Sequence, residues 1–152
     1  MAKNSFRTRL ITPEAQVLDE PATYVQLPAH DGSMGFLPGR APIVAKLGIG
    51  ELRIDFADQA AGGKGQGGSR SFLVEEGFAH MVENTLTVLA TRATPVESIV
   101  EQTAQAELAE AEARPLAQVT DPGQRQRLTR QKEAARKKLA LARQFRSRGG
   151  AI

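Results

Sequence analysis

Cysteine is absent from this 152-residue sequence. That excludes a disulfide framework, thiolate chemistry and any zinc site built on cysteine. Histidine is nearly absent too: His30 and His80 have no partner at metal-ligand spacing, and each reads as a surface or strand residue. No run of about 18 apolar residues occurs, so no transmembrane helix is expected, and the opening MAKNSFRTRL lacks the apolar stretch of a signal peptide. The chain is therefore expected to stay on the side of the membrane where it is made. Nor does spacing nominate a nucleophile–base pair, a carboxylate pair or a metal cluster, so independent catalysis is not expected.

What is present is a hydrophobic fraction of 41% with 24% charged residues, the balance of a globular protein. The net charge of +3 conceals a strong asymmetry. Met1–Thr94 has a balance of −1 and Pro95–Asp121 one of −5, whereas Pro122–Ile152 carries +9, with Glu133 as its only acid. The basic character therefore sits in the last thirty or so residues.

The first ninety or so residues read as short strands. Ser5–Ile11 and Tyr24–Leu27 are β-compatible, and each is followed by proline, Pro13 and Pro28. Leu52, Ile54 and Phe56 alternate with Arg53 and Asp55, the period of a strand with one wet face. Phe72–Val74, Phe78–Val82 and Leu86–Leu89 follow, rich in β-branched and aromatic residues. Asp31-Gly32, Gly48–Gly50, Glu76-Gly77 and Glu83-Asn84 read as the separating turns. Such strands predict a small sandwich or barrel. The stretch Ala60–Ser69, AAGGKGQGGS, lacks the G-K-[ST] and following helix of a phosphate-binding loop, and is expected to be a flexible hairpin tip.

After Thr94 glycine disappears until Gly123, while alanine and glutamate dominate. Val96, Val100, Ala104, Leu108 and Ala111 form one apolar stripe at helical spacing, ending near Arg114 because Pro115 follows. Thr120-Asp121-Pro122 then offers an N-cap with proline at the first helical position. Leu128, Ala135, Leu139, Ala142 and Phe145 form the second stripe, which is expected to fray at Ser147 and leave 149–152 as a loose tail. The expected architecture is mostly β then α: an N-terminal β-sandwich over 1–94 and an antiparallel two-helix hairpin over 95–152. The stripes are alanine-rich, and burial contributes only about 25 cal/mol per Å² of apolar surface, so the hairpin is expected to be weakly held and mobile.

The most informative stretch is Leu27–Pro42, LPAHDGSMGFLPGRAP. Read from its residues, it is a turn at Asp31-Gly32, a short apolar run and a tight Pro38-Gly39 turn beside Arg40. It also resembles the signature G-x-x-G-x-x-P-G-H-A-P of the epsilon subunit of F-type ATP synthases, with Gly32, Gly35, Pro38, Gly39, Ala41 and Pro42 in register. ITPEAQVLDEPATYVQLP resembles the family's first two strands, and Gly48-Ile49-Gly50-Glu51-Leu52 its G-x-L turn and strand. LVEEGFAHMVENTLTVLA resembles its later strand pair through Gly77, Phe78, Val82, Asn84, Thr87, Val88, Leu89 and Ala90. These matches run in the family's order through nearly all of the first 94 residues.

The resemblance implies a non-catalytic part of the central rotor stalk, an accessory subunit of the proton-transporting two-sector ATPase. The sandwich would bind the gamma subunit and sit on the membrane c-ring, at the cytoplasmic face of the bacterial plasma membrane and without inserting into lipid. The implied interface comprises Asp31, Gly32, Ser33, Gly35, Pro38, Gly39 and Arg40. The family often has glutamate where Ser33 stands and histidine where Arg40 stands, which changes the charge offered to the ring. The hairpin of this family folds on the sandwich or extends to block the catalytic alpha/beta head. Arg127, Arg130, Arg136, Lys137, Lys138 and Arg143 are the expected inhibitory contacts. Some bacterial members bind ATP through I-D-x-x-R-A in the first helix. The nearest stretch here, IVEQTA, keeps Ile99 and Ala104, but Val100 replaces the acid and Thr103 the arginine. Weak or absent ATP binding is expected without that planar donor fork, and no cofactor is expected. A basic helix also suits a nucleic-acid-binding protein; against that reading, the basic stretch has one aromatic, Phe145, and the preceding β part is slightly acidic.

Overall fold

A computed structural model describes residues 4–57 and 68–147. The backbone divides into two compact units at the Pro95–Val96 junction. The first is a β-sandwich and the second a pair of helices.

Six strands build the sandwich: β1 (Phe6–Ile11), β2 (Gln16–Ala29), β3 (Gly32–Phe36), β4 (Ile43–Phe56), β5 (Ser69–Val82) and β6 (Thr85–Pro95). Their order is β1-β6-β5-β4-β2-β3, and a further β1–β2 pairing closes five of them into a ring. All pairs are antiparallel except β1–β6. One edge of β2 is shared, its first half pairing with β1 and its second half with β3. Closure removes the edges that an open sheet would leave, and β3 stays as an added flap.

Alternation supplies the core. β1 buries Phe6, Thr8 and Leu10, while β4 buries Leu52, Ile54 and Phe56 between Glu51, Arg53 and Asp55. Phe36, Phe72, Val25 and Leu27 join them in the interior from other strands.

Two expected turns are instead strand interiors. Gly48–Gly50 lies within β4 and Glu76-Gly77 within β5. Glu76 (φ +53°) and Gly77 (φ +135°) depart from extended backbone. Pairing skips Glu76 opposite Gly48 and Thr91, then resumes in the same register on both sides. The glycines therefore mark a kink rather than a chain reversal. A Cβ on Gly77 would stand 1.9 Å from the carbonyl oxygen of Leu89, so no other residue fits there. β3, which sequence reading leaves as a turn and apolar run, is an additional strand. Of the expected glycine-rich tip, only Gly68 and Ser69 are described; the rest, like the expected tail, lies outside the described residues.

In the second unit a short 3-10 turn, Val96–Ser98, precedes α1 (Glu101–Ala113), and α2 spans Pro122–Ser147. Helix α1 starts later than the stripe suggests, because Val100 is extended (φ −90°, ψ 120°) and 60% exposed. Asp121 caps α2 as expected, its carboxylate accepting the Gln124 N–H at 3.0 Å. The helices pack antiparallel and bury Ala104, Ala111, Leu128, Ala135, Leu139, Leu141 and Ala142, while Phe145 is half-buried. At 26 residues, α2 is about 39 Å long at 1.5 Å per residue.

Candidate functional site

The signature segment is not one loop. Asp31, Gly32 and Ser33 are exposed at the start of β3, and Pro38, Gly39 and Arg40 form the turn beyond its far end. The five-residue strand Gly32–Phe36, which runs from the first group toward the second, is about 17 Å long at 3.3 Å per residue. At the first end the His30 N–H donates to the Lys46 carbonyl at 2.9 Å, and Gly32 takes φ +140°. Gly35 lies against Tyr24, whose hydroxyl oxygen would be 2.8 Å from an added Cβ. Next to it Phe36 is fully buried and anchors the flap in the core.

At the second end Gly39 (φ +78°) donates its N–H to the Asn84 side-chain oxygen at 2.9 Å. The Asn84 amide in turn donates to the Ser5 carbonyl at 2.9 Å, and its backbone carbonyl accepts the Arg7 N–H at 3.2 Å. Asn84 thus joins three segments from the two-residue β5–β6 turn, where Glu83 and Asn84 both have positive φ. Sequence reading identifies Asn84 as a turn residue and as part of the family pattern, but not as this clamp. Asparagine tolerates the left-handed backbone and carries both donor and acceptor, which is the signal available for such a role. Arg40 turns back on its own chain: Nη1 donates to the Gly35 carbonyl at 2.9 Å, and the guanidinium lies 4.9 Å from the Phe36 ring centroid. It ties the turn to β3.

A second surface was not among the expected sites. Val44 (70% exposed), Phe78 (54%), Leu89 (49%) and Val82 (40%) are large apolar side chains in water. Register places them on one face: Val44 opposite His80, Lys46 opposite Phe78, Phe78 opposite Leu89, and His80 opposite Thr87. The reverse face of the same strands supplies Ala79, Met81, Leu86 and Val88 to the core. The sequence signal is that apolar residues stand on both faces of Phe78–Val82, Phe78 and Val82 outward and Ala79 and Met81 inward, where a strand with one wet face would alternate.

On the helices, the expected basic contacts divide into groups. Arg136 Nε lies 3.4 Å from Glu112, Lys138 Nζ 2.9 Å from Glu107, and Arg143 Nε 3.3 Å from Glu101, all across the hairpin. Arg146 Nη1 also reaches Glu101, at 3.0 Å. Hydrogen bonds from Arg146 and then Arg143 hold the Glu101 carboxyl below the usual carboxylate range. Lys137 pairs with Glu133 on its own helix. Arg127 lines an open groove of about 530 Å³ at the elbow, with Arg114, Pro115 and Leu128; Arg130 is exposed on the same helix. Of the nucleotide-motif positions, Ile99 is half-buried in the turn before α1 and Ala104 fully buried on the helix. Val100 and Thr103, at the substituted positions, are exposed.

Comparison with known proteins places these features. Residues 5–96 match the family described as ATP synthase, delta/epsilon chain, beta-sandwich domain. The chain is 36% identical over 107 residues to the ATP synthase epsilon chain of Rhodopirellula baltica, covering 70% of this sequence and 77% of that one. It is 43% identical over 106 residues to that of Symbiobacterium thermophilum, covering 69% and 70%. Among solved structures, a chain of the Euglena gracilis mitochondrial ATP synthase OSCP/F1/c-ring assembly superposes with a TM-score of 0.70 at 24% identity. That match covers 87% of this chain and 78% of the other, and supports the fold.

Proposed function

We propose a coupling role in the rotor stalk for this chain, which belongs to the delta/epsilon family of ATP synthase subunits and is an epsilon-type accessory subunit. The sandwich would be clamped between the gamma subunit and the membrane c-ring, while the hairpin would restrain ATP hydrolysis at the alpha/beta head. No catalytic step is assigned to it.

The observation that carries the reading is the outer face of β4, β5 and β6. Four large apolar side chains in register are costly to leave in water and suit a protein partner. The gamma subunit is assigned to this face, and the Asp31-Gly32-Ser33 turn to the ring. A part that transmits torque must not shear, and a closed strand ring with a clamped turn meets that requirement. Among the described residues no helix is long and apolar enough to cross a membrane. Attachment to the cytoplasmic face of a bacterial membrane through these partners fits that finding.

Phe78→Asp tests the docking face. The side chain is 54% exposed, so thermal stability of the free chain should hold, whereas affinity for gamma should fall by about a hundredfold. Unchanged affinity would remove this face from the interface. Truncation after Pro95 in the assembled complex tests the restraint: ATP hydrolysis should rise while proton-coupled synthesis persists. Unchanged hydrolysis would leave the coupling role alone.

A further inference from the structure

We propose that Arg9 and Lys46 make the outer apolar face of the sandwich selective for charge, a proposal that rests on the docking role given to that face above. The partner surface it fits sets carboxylates beside an apolar patch. The paired segments 43–46, 78–82 and 85–89 contain no acidic residue, and Lys46 is their one lysine or arginine. Lys46 stands opposite Phe78, exposed and without a side-chain partner among the described residues. On the other side of the patch β1 runs beside β6, with Arg9 aligned with Thr87 and Ile11 with Leu89. Phe6, Thr8 and Leu10 point into the core, so Arg7, Arg9 and Ile11 share the outer face with Phe78 and Leu89.

Arg9 is a cation whose partner is missing from the described chain. Asp19, its neighbour across the β1–β2 pair, is held by Arg7 at 2.6 and 2.9 Å. Arg9 reaches only the Gln16 side-chain oxygen, with Nη2 at a long 3.4 Å, and its Nε is out of water with no hydrogen-bond partner. A guanidinium left in that condition is costly, and a carboxylate arriving with a partner supplies the charge-assisted hydrogen bonds that Arg9 lacks. Arginine is a frequent anchor at protein interfaces, and a charge at the rim of an apolar contact governs encounter more than residence. Phe78, Leu89 and Val44 would hold the complex, while Arg9 and Lys46 would select it. A protein fits better than a membrane. Polybasic lipid recognition takes about four to eight cations, and this face offers Arg9 and Lys46 beyond the Arg7–Asp19 pair.

Binding of the full chain to its own ATP synthase depleted of this subunit provides the test, with association and dissociation rates read separately. Raising NaCl from about 50 to about 500 mM should slow association of the parent chain about tenfold. Arg9→Glu with Lys46→Glu should associate about a hundredfold more slowly at low salt and approach the parent rate at high salt. Phe78→Ala should instead raise the dissociation rate about tenfold and keep the parent's salt dependence. If Phe78→Ala weakens binding while the charge variant associates like the parent, the face docks without reading charge and the proposal fails. If neither variant changes binding, the docking role itself fails. Capture of the chain by vesicles with about 30% phosphatidylserine, lost in the charge variant, would give the face to lipid and overturn the choice of a protein partner. Should the double variant not fold, Lys46→Glu at its exposed site decides in its place, with association expected to slow about tenfold.

Discussion

The sandwich and the hairpin of this chain are held by different forces. In the sandwich, Phe6, Phe36 and Phe72 are fully buried among branched aliphatics, and a closed ring of strands satisfies the backbone. In the hairpin, four of the seven buried helix residues are alanine and none is aromatic, and ion pairs bridge the helices at Glu101, Glu107 and Glu112. Apolar burial is indifferent to moderate salt and to mild acid, whereas exposed ion pairs respond to both. One chain thus carries a part suited to transmitting force and a part suited to responding.

Deleting a core ring should have the largest effect and confine it to the sandwich. Phe72→Ala should lower the stability of the β unit by about 3–5 kcal/mol, because its ring is fully buried and its removal leaves a cavity. Denaturant unfolding followed by β-sheet signals measures it. A comparable loss in the helical signal at the same denaturant concentration would mean that the two units unfold as one, against the contrast drawn here.

Asn84→Ala should cost the sandwich about 1–2 kcal/mol through its lost hydrogen bonds to Gly39 and Ser5 and its left-handed backbone. The more telling readout is local: amide exchange at Gly39 should accelerate well beyond the change in global stability. Uniform acceleration would make Asn84 an ordinary turn residue rather than a clamp.

These two positions also mark how far the sequence carries. Phe72 is legible as core from its neighbours Leu73 and Val74, since such runs fit buried strands. The alternation through Leu52, Ile54 and Phe56 is legible in the same way, and so is the Asp121 cap. The clamp by Asn84 is not, because its partners Ser5 and Gly39 are remote in sequence and only folding joins them. β3 escapes for a related reason. Gly32 and Gly35 weaken any local strand signal, and pairing with β2 supplies what propensity lacks. Gly48 and Gly77 mislead in the opposite direction, since glycine marks a kink within a long strand as readily as a turn. For the candidate site, spacing identifies the basic face of α2 but cannot say which cations α1 already holds.

On the hairpin side, Asp121→Ala removes the cap on the Gln124 N–H and should cost α2 about 1 kcal/mol. Helical ellipticity on heating would show an earlier helical transition with the β transition unmoved. A shift of both transitions together would again argue that the units are coupled.

Acid should give the smallest effect and the sharpest contrast, because each unit contains a carboxyl held low by arginine. In the sandwich the Arg7 guanidinium, at 2.6 and 2.9 Å, depresses Asp19 across the β1–β2 pair. In the hairpin Arg146 and Arg143 depress Glu101. A folded-state value below the unfolded one means that each contribution is complete above the ordinary carboxylate range and is lost as pH falls through the depressed value. Neither unit should therefore change near neutral pH. Lower down, Asp19 titrates on a scaffold that Phe6, Leu10 and Leu18 still hold, so β1 and β2 should keep their amide protection. Glu101 titrates where few buried side chains remain to resist, so α1 should lose amide protection as it becomes protonated. Exchange rates that rise in β1 before α1 would show that the ion pairs, rather than the core beneath them, govern both units.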